Sequence, residues 1–379
     1  MRQSIVLLFF FTSLFGGQPS PVEQAIIAAQ RAIEKDPGQP DGYNALAMAL
    51  ARRARDTADT TYYDRAEAAI KRSLAVSPDN FEALKAQCWI RLGRHEFADA
   101  LVLAKQLNRR VPDDPAMYGF LVDANAELGN YKEAEEAAQW MLDLSRNGVP
   151  GLTRAAYLRE IFGDRDGAME LMRMAYTRTH PAEIEDRAWM LVHIGQLFTA
   201  GGKLKEAAEV LNEALTLVPD YHYALAALAK VRTAEDAHSE AVKLMRRRYE
   251  VAPHPENLFD VAAALHNAGK RAEAMKTFLE FEKLALAESA GWDNANRELI
   301  SYYADYALKP AKALSIAKLE IARRRDVATI DAYAWALHRS GMHREAREEI
   351  KKALAIGAAD PNILKHARAI EARDRMAKR

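Results

Sequence analysis

The chain has 379 residues, of which 49% are hydrophobic and 28% are charged, so it is long enough to bury a large core. Its 53 basic and 53 acidic residues balance, which excludes a strong overall attraction to nucleic acid or anionic lipid. A single cysteine, Cys88, excludes an intramolecular disulfide framework, a cysteine-rich zinc site and a CxxC redox pair. Because it lies in an apolar helical segment, we interpret Cys88 as a core thiol.

The first 20 residues differ from the rest of the chain. Arg2 precedes the apolar run SIVLLFFFTSLF, which is followed by GGQPSP. A short positive region, about a dozen apolar residues and a small-residue break are typical of a secretory signal. The run is short for a membrane-spanning helix, and no cysteine follows it that could carry a lipid. We therefore expect residues 1–20 to direct export to the periplasm or out of the cell. An uncleaved N-terminal anchor is the alternative, because Phe15 is bulky where cleavage prefers a small residue.

After a predicted amphipathic helix, PVEQAIIAAQRAIEKDP, a six-residue pattern recurs that begins with glycine and ends with alanine. It reads GRHEFA from residue 93, GNYKEA from 129, GDRDGA from 163, GKLKEA from 202, GKRAEA from 269 and GMHREA from 341. Weaker copies without the glycine, TYYDRA, DAHSEA and LKPAKA, begin at residues 61, 236 and 308. Nine copies at a spacing of about 34 residues predict a repeat array from about residue 40 to about residue 360.

Each repeat is predicted to be a hairpin of two helices. In residues 188–219, apolar residues recur at helical spacing before and after the tripeptide AGG. Glycine adopts the left-handed backbone that ends a helix, and Pro219 ends the second helix because it cannot donate the helical hydrogen bond. Ala207 follows the turn glycine by five residues. We expect this alanine where the two helices cross, because a small side chain lets the backbones approach closely.

This pattern resembles the tetratricopeptide repeat, in which apolar residues, a turn glycine, two alanines and a final proline recur in each unit. The resemblance covers about 320 residues and implies an all-α fold, a right-handed solenoid of about nine hairpins with a capping helix at each end. The predicted hairpins span residues 39–78, 79–112, 113–146, 147–181, 182–219, 220–253, 254–289, 290–326 and 327–360. The predicted caps span residues 21–38 and 361–379.

Three units depart from the pattern. The first has a turn lengthened by RDTADTT, the unit at 292–326 has Pro310 and no turn glycine, and the unit at 81–112 reads as if its first helix were short. We interpret these departures as variation at the surface. A bend in the array or a recognition loop is the alternative.

No catalytic or cofactor-binding pattern is present in the sequence. It contains no GxSxG, HExxH, GxxxxGK[ST] or glycine-rich dinucleotide fingerprint. The histidines are scattered and form no spaced ligand pair, so we predict no metal site, no cofactor and no enzymatic activity. We expect them at the surface; those considered are His180, His193, His222, His238 and His254.

Two basic triplets, Arg246–Arg248 and Arg323–Arg325, lie near the ends of predicted second helices. Cations at these ends suit the helix dipole and solvent. A phosphate-binding patch is the alternative.

In the repeat that this chain resembles, defined positions of each first helix face a concave groove. In this sequence the aromatic residues at those positions are Trp89, Tyr157, Trp189, Tyr223, Phe259, Tyr302 and Trp335. The polar and charged residues among them are Glu82, Lys85, Asp123, Gln196, Lys230, Glu298 and Asp331. A channel of this kind suits an extended peptide or a partner helix, because desolvated aromatic residues anchor partners. The alternative is that each ring packs against its own neighbouring helices.

A carboxylate clamp of the kind found in chaperone-tail-binding members of the family is not expected. The corresponding positions hold Lys85, Trp89, Gly119 and Asp123. The asparagine of the clamp is missing, and an acidic residue stands where it would repel a carboxylate.

The resemblance, which extends to large exported bacterial proteins built from this repeat, implies a non-catalytic scaffold that binds a protein or peptide. We expect no nucleic-acid partner, and membrane contact only through the N-terminal segment if it is retained. A membrane-tethered assembly factor of the cell envelope is the first alternative, and a ligand receptor or enzyme that uses the groove is less favoured. The fold alone does not specify the biological process.

Overall fold

The computed structural model of the chain describes residues 20–377, with side chains as far as residue 372. Within that range the backbone forms twenty α-helices and one π-helical turn, and no strand. The prediction of an all-α chain is therefore confirmed. Residues 1–19, which hold the predicted export segment, and residues 378–379, the end of the predicted C-terminal cap, lie outside the described residues.

The helices are numbered in chain order. They are α1 (Pro21–Lys35), α2 (Pro40–Thr57), α3 (Thr61–Val76), α4 (Phe81–Gly93), α5 (Phe97–Arg110), α6 (Pro115–Glu127), α7 (Tyr131–Leu144), α8 (Val149–Ile161), α9 (Arg165–Arg178), α10 (Ile184–Ala200), α11 (Leu204–Leu217), α12 (His222–Ala234), α13 (His238–Val251), α14 (Pro255–Asn267), α15 (Arg271–Glu288), α16 (Asn296–Ser301), which continues into the π-helical turn Tyr302–Tyr306, α17 (Pro310–Arg323), α18 (Val327–Arg339), α19 (His343–Ala355) and α20 (Pro361–Ala377).

Helices that follow each other in the chain pack in pairs, as the sequence predicts. The most extensive contacts join α2 to α3, α6 to α7, α8 to α9, α10 to α11, α12 to α13, α14 to α15 and α18 to α19. Each second helix also packs against the first helix of the next pair, so the hydrophobic core continues along the stack.

The turns within the pairs have a common backbone conformation. Five of the six predicted turn glycines have a positive φ, and they are Gly129, Gly163, Gly202, Gly269 and Gly341. In two of the weaker copies Asp236 (φ +58°) and Leu308 (φ +52°) take the same place without a glycine. A left-handed residue therefore lies two residues before the start of each of these second helices.

An alanine lies five residues after the left-handed residue and is buried between the helices of the pair. With the corresponding residue of the first hairpin, these alanines are at most 1% exposed, and they are Ala66, Ala100, Ala134, Ala168, Ala207, Ala241, Ala274, Ala313 and Ala346. Nine small side chains at equivalent crossings let the paired backbones approach closely.

The register predicted for GRHEFA is wrong by two residues. Gly93 ends α4, and the left-handed residue of this turn is His95 (φ +57°). Ala100 is buried at the crossing, whereas Ala98, where the pattern placed it, is exposed. The glycine has a different purpose, because a Cβ at position 93 would overlap the ring of Tyr63. The helix is not shortened either, since α4 and α6 each have 13 residues.

The other two irregular units, the first and the eighth, have first helices of unusual length. The first three residues of RDTADTT extend α2, which continues to Thr57 before Ala58 turns the chain with a φ of +51°. In the eighth pair, α16 has only 6 residues and passes into the π-helical turn. Pro310 opens α17, where its missing N–H costs no helical hydrogen bond.

The stack of hairpins winds back on itself. The backbone N–H of Arg325 donates to the carbonyl of Glu127 at 3.0 Å, and Arg324 forms an ion pair with the Glu127 carboxylate 197 residues away. Nearby, the N–H of Val327 donates to the Tyr131 hydroxyl at 2.8 Å. We call the contact of Glu127–Tyr131 with Arg324–Val327 the interlock.

Similar contacts join other parts of the first and second windings. The Arg94 guanidinium lies 4.8 Å from the ring centre of Trp292, and the ring of Tyr63 meets Trp292 edge-on at 6.0 Å. The turn at Gly163 approaches Gly357 so closely that a Cβ would lie 2.5 Å from the Gly357 carbonyl oxygen. These contacts hold the windings together around the space inside them.

We predict that Ala100→Trp destabilises the protein by about 1–3 kcal/mol or more, because the crossing has no room for an indole. Ala98→Trp is the matched control and should change the midpoint of chemical unfolding little, since that position is exposed. The reverse order of the two midpoints would contradict the register seen in this hairpin.

We predict that Gly129→Ala costs more stability than Gly202→Ala. Both residues are left-handed, with φ of +77° and +73°, so each alanine pays about 1–2 kcal/mol of backbone strain. A Cβ at 129 would also lie 2.6 Å from the Arg325 carbonyl oxygen, whereas nothing lies within 4 Å at 202. Gly129→Ala should therefore lose at least about 1 kcal/mol more in urea unfolding. Equal losses would show that the interlock contributes nothing.

Candidate functional site

Three connected cavities lie inside the windings, and we call them together the lumen. The groove cavity has a volume of about 590 Å³ and lies mainly among α2, α4, α6 and α8. The middle cavity, of about 670 Å³, lies mainly among α6, α8, α9 and α10. The charged chamber, of about 800 Å³, lies mainly among α8, α16, α18 and α20. The first helices of the pairs thus supply most of the lumen wall.

The groove cavity is mainly apolar. Met48, Trp89, Phe120 and Met141 form its walls, and Gly119 leaves space between them. Methionine side chains are flexible and polarisable, so a wall of this composition adapts to apolar side chains of different shapes.

The middle cavity continues the groove cavity. Trp89 lines both cavities, so the two adjoin at this ring. Further in, the ring centres of Trp189 and His193 lie 4.0 Å apart. Burial lowers the pKa of His193 to about 4, so this imidazole is neutral at pH 7. These two rings therefore give the middle cavity an uncharged aromatic patch, while charged residues such as Arg178 and Glu183 line other parts of it.

The charged chamber has a different character. Its walls carry the ion pairs of the interlock, and Tyr157 lines both the chamber and the middle cavity. Glu298 also lines the chamber, and burial together with the neighbouring Glu256 carboxylate raises its pKa to about 7. On the opposite side, the Trp335 Nε1 donates to Asp305 at 3.0 Å. The lumen therefore changes from apolar to polar along its length.

Five of the seven aromatic residues predicted from the sequence line the lumen. They are Trp89, Tyr157, Trp189, Phe259 and Trp335. The same cavities include six of the seven predicted polar positions, namely Glu82, Lys85, Asp123, Lys230, Glu298 and Asp331. Their role in partner binding remains a prediction.

Two of the predicted aromatic residues have other surroundings. Tyr302 does not face a groove, because it is 2% exposed and stacks on Phe278 at 5.2 Å. Its position starts the π-helical turn, where the spacing of an ordinary α-helix no longer applies. Tyr223 does not line any of the three cavities, and its ring centre lies 3.8 Å from that of His222. Gln196, the seventh polar position, is likewise outside them.

The lysine and arginine of the groove cavity are already paired. The Lys85 Nζ lies 3.1 Å from an oxygen of Asp114, and Arg154 forms two hydrogen bonds to Asp123. A bound carboxylate would have to compete with these partners, which agrees with the expectation that a carboxylate clamp is missing.

The expectation that the basic triplets face solvent is wrong for two of their members. Arg248 has a side chain only 7% exposed and pairs with Glu256 at 3.2 Å. Arg324 is 10% exposed and pairs with Asp326 at 2.6 Å as well as with Glu127. Buried pairs of this kind join separate helices, which helical spacing does not reveal.

His222 is also not at the surface as expected. It is 4% exposed, and its Nε2 lies 3.1 Å from the carbonyl oxygen of Arg55. Burial lowers its pKa to about 4. Cys88 is buried as predicted, and burial raises the pKa of its thiol to about 12.

The described residues offer no sign of metal binding or membrane insertion. Across residues 20–377, no group of three or more histidine, cysteine, aspartate and glutamate side chains is arranged to hold a metal ion. No helix in the same range combines the length and apolarity of a membrane span.

Comparison with known proteins identifies the fold. No protein-family model matches the chain, and no curated protein matches it in sequence. Among solved structures, the APC/C hetero-tetramer Cut9-Hcn1 aligns with a TM-score of 0.52 and 12% identity over 93% of this chain. This chain spans 59% of that neighbour's length.

Two structures of human IFIT1 dimers align at similar levels. The dimer with m7Gppp-AAAA has a TM-score of 0.55 and 13% identity, with 89% of this chain and 87% of that chain covered. The dimer with PPP-AAAA has a TM-score of 0.54 and 11% identity, with 88% and 95% covered. These neighbours are tetratricopeptide-repeat proteins. The chain therefore has the tetratricopeptide-repeat fold, and the resemblance seen in its sequence is confirmed.

We predict that stability falls when the pH is lowered from 7 to 5. His222 has a pKa of about 4 in the folded chain and about 6.5 when unfolded, so its contribution is complete above pH 6.5 and is lost as the pH falls toward 4. The loss at pH 5 amounts to roughly 2 kcal/mol. In His222→Gln, which keeps an N–H donor but does not titrate, urea unfolding should show a smaller difference between the two pH values. An unchanged difference would contradict the assignment.

Proposed function

We propose that the protein is a non-catalytic scaffold that binds a segment of another polypeptide inside the lumen. The observation that carries this proposal is the apolar surface of the adjoining groove and middle cavities, which brings together Trp89 and Trp189 from α4 and α10. Aromatic side chains in such a pocket supply much of the binding energy of protein interfaces at low entropic cost.

A polypeptide fits the lumen better than a nucleic acid. The IFIT1 structures contain RNA, but at 11–13% identity that similarity concerns the fold alone. Nucleic acid needs unpaired lysines and arginines along its backbone. In this lumen five of the nine lysines and arginines, among them Lys85, Arg154 and Arg324, are paired with carboxylates of the protein itself.

We further propose that the array consists of nine hairpins in a right-handed winding, with α1 and α20 as its caps. The first cap is complete from Ser20 onward. The Ser20 hydroxyl accepts from the backbone N–H of Glu23 at 3.2 Å, and the Glu23 carboxylate accepts from the N–H of Ser20 at 2.8 Å. This reciprocal capping box lies wholly within residues 20–23.

We also propose that residues 1 to about 20 direct export and are removed. The self-contained capping box supports this idea, because cleavage before Ser20 leaves the end of the first helix intact. Mass spectrometry of the mature N-terminus distinguishes removal from a retained anchor, and an intact Met1 on cytoplasmic protein would contradict export.

The binding proposal is tested with peptides selected from a random library displayed on phage, using residues 20–379, which keep the Ser20 cap, as bait. When Trp89 and Trp189 are both replaced by alanine, binding of the selected peptides should weaken by at least 2 kcal/mol, roughly thirtyfold in Kd, because both anchors are lost. Fluorescence anisotropy of labelled peptides measures the change.

Trp140→Ala is the matched control. Trp140 is 55% exposed on α7, stacks on Tyr118 and lines none of the three cavities. Its replacement should leave the affinity unchanged. Thermal unfolding on the same samples separates a binding defect from a folding defect. Full affinity in a well-folded double variant, or a library that yields no specific peptide, would refute binding in the lumen.

A further inference from the structure

We infer that the lumen selects segments that combine bulky apolar residues with lysine or arginine. This inference rests on the proposed function and specifies the chemistry of the partner. Its basis is an imbalance of charge inside the windings, together with the way in which the charged groups there are already paired.

The lumen is more acidic than the rest of the protein. Twelve carboxylates line the three cavities, against nine lysines and arginines. The whole chain has a formal net charge of zero, so the lumen has three more carboxylates than lysines and arginines, and the remaining residues offset this difference. A charged interior with low-dielectric walls concentrates its field, so a cationic segment is attracted into it.

Ion pairs within the protein leave more carboxylates than cations unpaired among the described residues of the lumen. Both cations of the groove cavity have carboxylate partners, with Lys85 held by Asp114 and Arg154 held by Asp123. In the middle cavity Arg55 pairs with Glu185. Among the described lining residues, six carboxylates have no ion pair within 4 Å, against four cations.

Each cavity contains at least one of these unpaired carboxylates. Asp41 lines the groove cavity, Glu183 the middle cavity and Glu298 the charged chamber. Glu298 shares the chamber with Tyr157 and Phe259. Carboxylates beside aromatic faces suit an ammonium or guanidinium group, which gains from both the ion pair and the cation–π contact.

The groove cavity and the charged chamber suit different side chains of a bound segment. The groove cavity offers an apolar wall without an unpaired cation, and the chamber offers carboxylates beside rings. A segment with apolar side chains interspersed with basic ones places both kinds of group against complementary surfaces. An acidic segment would instead have to separate Lys85 and Arg154 from their partners.

The experiment uses three fluorescein-labelled synthetic peptides of about a dozen residues. They share the same leucine and tryptophan positions and carry lysine, glutamine or glutamate at the others. At about 50 mM salt and about pH 8, where Glu298 with its pKa of about 7 is mostly ionised, the lysine peptide should bind residues 20–379 at least tenfold more tightly than the glutamate peptide, measured by anisotropy. The ratio should fall strongly at about 500 mM salt, where charges in contact with water are screened.

Neutral variants locate the effect. Glu183→Gln and Glu298→Gln should each raise the Kd of the lysine peptide by about threefold, the size expected for a solvent-accessible charge pair. The glutamine peptide should bind both variants with unchanged affinity. Neither change leaves an ion-paired partner behind, and Glu209→Gln on the exposed face of α11 is the control that should alter nothing.

The outcomes separate this inference from the proposed function. Equal affinity for the three peptides, or tighter binding of the glutamate peptide, overturns the charge preference while leaving a lumen that binds apolar segments. Binding of none of them, together with a failed library selection, overturns the proposed function. Displacement of the lysine peptide by a labelled oligouridine of similar length at submicromolar concentration overturns both, since it assigns the lumen to nucleic acid.

Discussion

The close crossing of two helices at an alanine is the contact on which the rest of the structure depends. It requires a small side chain at a constant offset from a left-handed turn residue, and Ala207 after Gly202 is an example. A larger residue would push the paired helices apart and change the angle at which the next pair stacks. Because the same crossing recurs nine times, small and equal angles add up to a complete winding.

The winding creates a second constraint that no single hairpin contains. When the chain returns past its starting point, turns about 200 residues apart meet, and the interlock holds them through Arg324, Glu127 and Tyr131. Gly129 serves both constraints, since it adopts the left-handed turn and leaves room for the Arg325 carbonyl. The contacts join the windings beside the lumen, whose cavities stay open to solvent.

The pairing of charges within the lumen limits which of its charged side chains are free. Lysines and arginines face it, yet carboxylates from neighbouring helices hold many of them, as Asp123 holds Arg154. Beside the apolar surface, six carboxylates such as Glu298 and four cations of the described lining residues remain unpaired, so the unpaired charge is mainly acidic. The histidines behave similarly, because burial lowers the pKa of His193 and His222 and removes their charge at neutral pH. The number of charged residues that line the lumen therefore overstates the charge that is free to contact a partner.

The sequence by itself determined the helical hairpins, their turn glycines and most of the aromatic lining, because these features follow from local spacing along single helices. It failed where the local rule was broken, at His95, whose left-handed backbone needs no glycine, and at Tyr302, where a π-helical turn shifts the facing of side chains. Only the tertiary structure decided the interlock, the burial of Arg324 and the pairing of the lumen cations. Those contacts join residues far apart in the chain, and the summed rotation of many hairpins, which no local pattern encodes, decides which of them meet.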